Sequence, residues 1–265
     1  MRNLLKRGTS GLIYAVLFIS AILYSKESYV ILVSIFGLVC IWEFLKLLNF
    51  KNIVPYILFL PIIFLSFSNY NSQLLMIILL VISLTGSIQL LIQLYTKKNN
   101  FPSNTIQKID ISIRYLLLSF AFLILLPVVN GEYQESIILS LVIFIWVNDS
   151  FAFLVGKNFG KRKLFESVSP KKTIEGFIGG VFFTVIAAII ISYTIDFLSI
   201  THWIVLSLIA SILGTIGDLV ESKFKRQANI KDSGTIMPGH GGLLDRLDSL
   251  LFVAPFVYLY IHYII

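Results

Sequence analysis

Long apolar runs separated by short polar clusters fill the chain from its first residues to its last. Most of these runs approach the ~20 helical residues that cross a ~30 Å hydrocarbon core. Breaking the pattern at polar clusters and at Pro, Gly and Asn predicts nine spans, which are 11–25, 28–48, 53–69, 72–95, 112–130, 134–156, 174–197, 202–224 and 248–265. We therefore expect an all-α integral membrane protein, built as a polytopic helical bundle of about nine transmembrane helices.

The composition supports this class. Hydrophobic residues make up 57% of the 265 residues and charged residues 13%. In soluble domains roughly half of the residues are apolar and about a quarter are charged. No soluble domain fits between the runs. The first run follows three basic residues but lacks a small-x-small cleavage site, so we expect it to remain as the first helix instead of being removed as a signal peptide.

The basic residues predict the topology, because Lys and Arg concentrate in cytoplasmic loops. With the N-terminus inside and nine crossings, all of them except Lys26 fall on the cytoplasmic side. The opposite loops, 68–72, 130–135 and 199–202, carry no Lys or Arg. We expect an N-in/C-out protein of the cell (cytoplasmic) membrane, with its net charge of +7 concentrated on one face.

The density of charge divides the chain into two parts. The loops before residue 130 carry single or paired Lys, whereas two dense polar segments follow it. We expect residues 1–130 to form an N-terminal scaffold of about five spans, and residues 131–265 to form a catalytic half with its active site at the cytoplasmic face. The sequence shows no internal repeat of the kind that many transporters have.

The first dense segment includes Asp149, which lies inside an apolar run. An ionisable residue there costs ~2.5–3.5 kcal/mol on insertion scales, so Asp149 is a functional candidate, with a structural salt bridge as the alternative. Further along, Lys171 and Lys172 precede a span for which Ser169 or Thr173 is the expected N-cap. This helix end and its two lysines predict a phosphate-binding site, although a capped helix beside inside-positive residues gives the same pattern.

Three glycines lie near the start of the same span. Gly176, Gly179 and Gly180 stand at the small-residue spacing that allows two membrane helices to approach closely. We expect them to pack against another helix, and we assign them no catalytic role.

The second dense segment begins inside the eighth span. Asp218, Ser222 and Lys225 stand at i, i+4 and i+7, so they share one helix face. Asp245 and Asp248, at i and i+3, also project to one side of the last helix. Mg²⁺ bound to a triphosphate takes one or two carboxylates together with phosphate and water oxygens. We therefore predict that Asp218, Asp245 and Asp248 hold Mg²⁺ or another divalent cation.

Basic residues and a Gly-rich turn complete this segment between the two helices. Lys231, Asp232, His240 and Gly241 are predicted to bind the nucleotide or its phosphates, and Arg226 is a predicted catalytic residue. The cations neutralise phosphate charge, and glycine lets the backbone approach a ligand closely. Simpler interpretations remain open: the acids can stabilise the N-terminus of the last helix, the bases can anchor a helix at the interface, and His240 is either a ligand contact or a turn residue.

The residues from Ser222 to Asp248 read SKFKRQANIKDSGTIMPGHGGLLDRLD. This stretch resembles the signature of the phosphatidate cytidylyltransferases (CDP-diacylglycerol synthases), whose Ser, Lys-Arg, Lys-Asp, Pro-Gly-His-Gly-Gly and Asp-Arg-x-Asp positions it matches without a gap. Four further stretches are similar to that family, namely WEF from 42, DSFAF from 149, GKNFG from 156 and SPKKTIEG from 169. Phe153 stands where the family more usually has Tyr, which puts one hydroxyl contact in doubt.

The resemblance implies that CTP and phosphatidic acid react to give CDP-diacylglycerol and pyrophosphate. It implies a divalent metal on Asp218, Asp245 and Asp248. The residues that it places on the nucleotide phosphates are Ser222, Lys225, Arg226 and Lys231, in a cavity also lined by Lys171, Lys172 and Asp149. The expected partners are CTP, phosphatidic acid and the lipid bilayer, without nucleic acid, and a homodimer and a monovalent cation are further predictions.

Two other functions remain as alternatives. A CTP-dependent lipid kinase of the dolichol-kinase type would use a similar nucleotide cavity, but it needs a base to deprotonate a hydroxyl, and no unassigned carboxylate clearly offers one. An anion transporter predicts charge near the bilayer midplane and repeat symmetry, whereas here the charge clusters at one face. A CDP-alcohol phosphotransferase is disfavoured because its expected D-G-x-x-A-R pattern is missing.

Overall fold

The computed structural model describes residues 2–67, 72–96, 102–237, 239 and 241–265, and for residues 2–7 it describes the backbone only. Within these residues nine helices follow one another along the chain. They are α1 (Arg2–Tyr24), α2 (Lys26–Leu47), α3 (Val54–Phe67), α4 (Gln73–Tyr95), α5 (Thr105–Ile111, Ser112–Leu117 and Leu118–Leu125), α6 (Glu135–Phe159), α7 (Ile174–Ser192), α8 (Ile200–Gln227) and α9 (Leu244–Ile264). The predicted helical bundle is confirmed.

Six of the described helices are long and apolar enough to cross a membrane, namely α2, α4, α6, α7, α8 and α9. The apolar part of α1, Gly8–Tyr24, and α3 are shorter apolar helices. α5 is interrupted by the π-helical stretch Ser112–Leu117, whose wider winding divides it into three parts. The protein is therefore a multi-pass membrane protein.

The core of the bundle surrounds α9, which packs against α8 and the last part of α5. Leu251 and Val253 of α9 are fully buried. The outer helices instead expose large apolar side chains, such as Phe64 of α3 and Ile178 of α7. Outward apolar faces are expected where lipid surrounds a protein, because lipid tails are as apolar as a Leu side chain.

Two contacts show which helix ends lie close together at each face of the bundle. On one face, Lys223 near the end of α8 donates to the carbonyl oxygen of Thr96 after α4, at 3.0 Å. On the opposite face, the Tyr133 hydroxyl donates to the Ile22 carbonyl oxygen near the end of α1, at 2.9 Å. Which of these ends faces the cytoplasm stays a prediction from the distribution of Lys and Arg.

A short hairpin ends α5 earlier than the apolar pattern predicts. The strands β1 (Val128–Val129) and β2 (Glu132–Tyr133) pair antiparallel, and Asn130 and Gly131 between them have φ angles of 53° and 84°. Asn and Gly are the residues that tolerate this conformation in a tight turn. The helix therefore covers 105–125 instead of the predicted 112–130.

A second hairpin precedes α7, where the sequence predicts only a loop and a helix end. Strand β3 (Lys163–Phe165) pairs with β4 (Ser169–Thr173). Thr173 is the N-cap of α7, since its hydroxyl accepts from the Gly176 N–H at 3.1 Å. The alternative cap, Ser169, is wrong because this residue lies four positions earlier, at the start of β4.

The glycines of α7 allow it to lie directly against α6. A Cβ built on Gly176 would lie 2.6 Å from the Ala152 carbonyl oxygen, and one built on Gly180 would lie 2.6 Å from Asn148 Oδ1. Both distances are too short for a real side chain, so the two backbones meet where only hydrogen fits. The predicted role of these glycines in helix packing is confirmed.

α1 and α9, like α5, begin at least one helical turn before their predicted spans. α1 begins at Arg2 instead of residue 11, and α9 begins at Leu244 instead of residue 248. In both cases the added turns are polar. Hydropathy detects only the part of a helix that lies in hydrocarbon, so a polar first turn outside it is left out of the predicted span.

Candidate active site

A cavity of about 420 Å³ opens between α6, β4, α7 and α8. Four of the predicted site residues line it, namely Asp149, Lys171, Lys172 and Asp218. Much of the remaining wall is apolar, with Phe153 and Phe177 among its residues. The fold thus brings the first dense segment of the sequence together with the start of the second, in a space that combines charge of both signs with an apolar surface.

Lys172 and Asp218 form an ion pair in this cavity. The Lys172 Nζ lies 2.5 Å from Asp218 Oδ2, and the two side chains are 27% and 31% exposed. Ser222, one turn later on α8, donates from its hydroxyl to Asp218 Oδ1 at 3.1 Å, as expected for residues on one helix face. Because both members of the pair are partly exposed, an incoming phosphate or cation can compete for either of them.

Lys225 is held by two protein carboxylates. Its Nζ lies 2.6 Å from Asp245 Oδ1 and forms a second ion pair with Glu221, one turn earlier on α8. The side chains of Lys225 and Glu221 are only 10% and 1% exposed. Buried charges are tolerated when they are paired and hydrogen-bonded, so this triad fixes α8 against α9.

Asp245 also organises the segment that leads into α9. Its Oδ2 accepts from the Gly242 N–H at 2.7 Å and from the Ser233 N–H at 2.9 Å. With Lys225 on Oδ1, the protein itself engages both oxygens of this carboxylate. These contacts stabilise the N-terminus of α9, which is the simpler interpretation that the sequence left open for Asp245.

Asp248 lies one turn further along α9 and is 8% exposed. Its Oδ1 accepts from the Ser249 N–H at 2.7 Å. Its backbone lies against Gly217, the neighbour of Asp218, since a Cβ built on Gly217 would lie 2.9 Å from the Asp248 carbonyl oxygen. Asp218 and Asp149 line the first cavity together. Within the described residues, however, no three His, Cys, Asp or Glu side chains are placed to hold one metal ion together, so the set of Asp218, Asp245 and Asp248 stays a prediction.

A second cavity, of about 490 Å³, lies beside the segment between α8 and α9. Its lining includes three residues predicted to contact the nucleotide, Lys231, Asp232 and Gly241. Gly241 has a φ of +92°, and a Cβ there would lie 2.6 Å from Asp245 Oδ2, so this position requires glycine. His240 lies outside the described residues.

Arg226 joins the two dense segments. Its Nε donates to the Val168 carbonyl oxygen in the β3–β4 turn at 3.4 Å, and its Nη1 donates to the Ile230 carbonyl oxygen at 3.1 Å. The side chain remains exposed at the surface. Arg226 thus ties the hairpin that carries Lys171 and Lys172 to the segment that follows α8.

Four polar residues of this region have no role in the sequence analysis. Glu43 and Glu221 are buried acids inside apolar runs, and the rule that singles out Asp149 would also have found them. Asn148 and Thr215 line the first cavity, where Asn148 Nδ2 donates to Thr215 Oγ1 at 3.3 Å. Neutral polar side chains in a membrane helix carry a weaker signal, because Ser and Thr commonly bond back to their own helix.

The whole chain also matches a known protein family. The sequence model of the cytidylyltransferase family aligns with residues 5–264. The chain belongs to the cytidylyltransferase family. It is therefore a nucleotidyltransferase, and the family match includes the first helices as well as the residues of both cavities.

Curated relatives carry the name phosphatidate cytidylyltransferase. The protein of Bacillus subtilis (strain 168) is 34% identical over 265 residues, which are 97% of each chain. The protein of Staphylococcus aureus (strain COL) is 52% identical over 120 residues, 44% of this chain and 46% of the relative. The protein of Staphylococcus saprophyticus is 39% identical over 160 residues, 60% of each chain. The family resemblance that the motifs indicate is confirmed.

Proposed function

We propose that the protein is a phosphatidate cytidylyltransferase, which transfers CMP from CTP to phosphatidic acid in phospholipid biosynthesis. The observation that supports this most directly is the cavity in which Lys171 and Lys172 lie with Asp149 and Asp218 beside an apolar wall. Cations suit phosphates, carboxylates suit a divalent cation, and an apolar wall suits a lipid. The similarity to the Bacillus subtilis relative over 97% of both chains supports the same substrates.

In the proposed reaction, a phosphate oxygen of phosphatidic acid attacks the α-phosphorus of CTP. A new P–O bond forms, the bond from the α-phosphorus to the bridging oxygen breaks, and pyrophosphate leaves. The attacking phosphate is mostly dianionic at neutral pH, because the second pKa of such a phosphate monoester is about 6. No proton has to be removed from it, so the site needs charge neutralisation and in-line positioning instead of a general base.

The cations divide into exposed and buried groups. Lys171, Arg226 and Lys231 are exposed and can neutralise the phosphates of CTP and of the lipid. Lys172 becomes available when a ligand displaces it from Asp218. Lys225 is largely buried between two carboxylates. We therefore propose that it holds Asp245 in place and that it acts on the nucleotide only through that acid.

The acids of this region suit a divalent cation such as Mg²⁺. Asp218 and Asp248 are the two that we propose as its ligands, since Mg²⁺ often takes one or two carboxylates with phosphates and water. Asp245, with both oxygens engaged, would support them from the start of α9. When bound, the cation would neutralise charge on the triphosphate and on the departing pyrophosphate. A monovalent cation and a homodimer stay predictions.

We further propose the N-in/C-out topology with the site at the cytoplasmic face of the cell membrane. The distribution of Lys and Arg supports this topology, because such residues are retained in the cytoplasm, and the contact of Lys223 with Thr96 supports one shared face for the ends of α8 and α4. CTP is a cytosolic solute and phosphatidic acid presents its headgroup at the bilayer surface. A site at this end of α8 and α9 reaches both substrates.

The test uses purified protein in detergent micelles with phosphatidic acid, Mg²⁺ and CTP that is labelled at either the α- or the γ-phosphate. Cytidylyl transfer puts the α-label into the lipid and the γ-label into pyrophosphate. A lipid kinase would instead put the γ-label into a lipid when a polyprenol is supplied. Absence of lipid labelling from α-labelled CTP, in preparations that remain folded, would refute the proposed function.

A further inference from the structure

Glu43 belongs to α2, yet its carboxylate reaches the start of α9. The residue is completely buried. Its Oε1 accepts from the Leu243 N–H at 3.1 Å, and its Oε2 accepts from the Leu244 N–H at 2.8 Å. The Ser233 hydroxyl also donates to Oε2, at 3.5 Å. A residue of the first helices thus contacts both ends of the segment that borders the second cavity.

Two glycines of that segment close around the Glu43 carboxylate. A Cβ built on Gly242 would lie 2.7 Å from each carboxylate oxygen. At Gly234 the three nearest atoms all belong to Glu43, with Cδ at 2.8 Å. The backbone of the segment therefore lies against this side chain with no room for a further methyl group.

Glu43 and Asp245 together hold the two ends of the segment 233–242. Ser233, at its start, donates from its N–H to Asp245 and from its hydroxyl to Glu43. At its end, Gly242 donates to Asp245, and the next two N–H groups donate to Glu43. Two carboxylates from different helices thereby fix both ends of the segment, and Gly241 within it lines the second cavity.

We infer that Glu43 is a positioning residue for nucleotide binding, which keeps residues 233–237 and 241–244 in the conformation that receives the phosphates of CTP. This inference rests on the proposed function, because it takes Lys231 and Gly241 of the second cavity as contacts for those phosphates. A residue that served only as a helix cap would contribute stability. A positioning residue also sets the fraction of molecules that are competent to bind, and the apparent affinity falls with that fraction.

The test is Glu43→Gln, which keeps the size of the side chain. The amide retains one acceptor oxygen, but its NH₂ group faces the second N–H and cannot accept from it. We expect the KM for CTP to rise by at least about tenfold, the scale of one lost hydrogen bond to a charged group. The kcat at saturating CTP should stay within about twofold, because high CTP restores the binding-competent conformation.

Glu135→Gln is the matched control, since it makes the same change at an exposed position in the first turn of α6. It should leave the KM for CTP unchanged. A second variant, Gly234→Ala, crowds Glu43 from the other side and should raise the KM in the same way. Stabilisation of the purified variants by CTP against heating should require correspondingly more CTP than in the wild type.

An unchanged KM in Glu43→Gln, with active wild-type protein, would overturn the inference but not the proposed function. Loss of folded protein in both Glu43→Gln and Gly234→Ala would also overturn it, because Glu43 would then be a structural cap only. Wild-type protein that forms no CDP-lipid would instead refute the proposed function itself.

Discussion

Lys225 lies between two carboxylates, and this changes what the residue can do. The sequence places it on one helix face with Asp218 and Ser222 and predicts contact with phosphates. In the structure its ammonium group is shared by Glu221 and Asp245, and it balances the charge of both acids. Lys225 therefore sets the position of Asp245. Removal of its charge affects the stability of the fold directly, and it affects ligand binding only through Asp245.

Lys225→Met should destabilise the protein strongly, by about 3–5 kcal/mol, because breaking a buried ion pair from one side leaves uncompensated charge. Adding Glu221→Gln should restore part of this loss, since one of the two stranded acids is then neutral. Unfolding of the purified variants in detergent measures both effects. A double variant that is as unstable as the two single changes combined would contradict the shared ion pair.

Asp218→Asn and Asp248→Ala should abolish CTP-dependent turnover while the protein stays folded and inserted. Both changes remove the negative charge of an acid that we propose as a ligand of the divalent cation, and the cation needs that charge. Turnover is measured with labelled CTP and phosphatidic acid. Asp196→Asn, at an exposed position after α7, is the control, and more than a few per cent activity in either site variant would remove that acid from the proposed metal site.

At the scale of single residues, the sequence identifies acids that stand out in an apolar run, such as Asp149. It does not tell which partner each acid has. Asp245 and Asp248 are three residues apart on one helix, yet Asp245 is engaged by Lys225 and two N–H groups, whereas the Asp248 carboxylate accepts from the Ser249 N–H. The difference depends on which neighbouring helix each side chain meets, and spacing along one helix carries no such information.

At the scale of elements, α6 and α7 show which local features a sequence determines. The glycine spacing of α7 predicts close packing, and the Thr173 cap follows from a hydroxyl residue placed before an apolar run. The β3–β4 hairpin was missed because its second strand, SPKKT, has no alternation of apolar and polar residues. Pairing with β3 forms that strand, and its own composition does not favour one.

The contact between α6 and α7 predicts the effect of adding one methyl group. Gly176→Ala and Gly180→Ala should each lower stability by about 1–3 kcal/mol, because backbone atoms of α6 occupy the space that a Cβ needs. Gly8→Ala is the control, since nothing lies within 4 Å of a Cβ built there. Thermal unfolding in detergent measures all three, and equal behaviour of Gly8→Ala and Gly176→Ala would argue against the close contact.

At the scale of the whole molecule, hydropathy alone predicts the helical bundle and the nine helices among the described residues, because crossing a membrane requires long apolar segments. The arrangement of those helices could not be predicted in the same way. In a membrane both the lipid-facing and the helix-facing surfaces are apolar, so the pattern does not tell that α9 lies in the core or that α2 reaches it through Glu43. The division at residue 130 stays a prediction, and Glu43 connects its two sides.

The proposed topology predicts which positions a membrane-impermeant thiol reagent reaches in intact cells. Cys40 is the single cysteine of the sequence and is buried, so the background should be low. Glu132→Cys, exposed in the β1–β2 hairpin, should be labelled from outside. Lys51→Cys, exposed between α2 and α3, should be labelled only after the cells are permeabilised, and the reverse pattern would invert the topology.

The place of α9 in the chain has a consequence for biosynthesis. The ribosome completes α8 before α9, so Lys225 enters the bilayer with Glu221 as its first ion-pair partner, and Asp245 and Asp248 arrive only with the following helix. The proposed site gains Asp245 and Asp248 only after every other described helix has been translated. A nascent chain that stalls before this point carries the lysines together with Asp149, Asp218 and Glu221, but it lacks Asp245 and Asp248, so we expect it not to consume nucleotide before the bundle has closed.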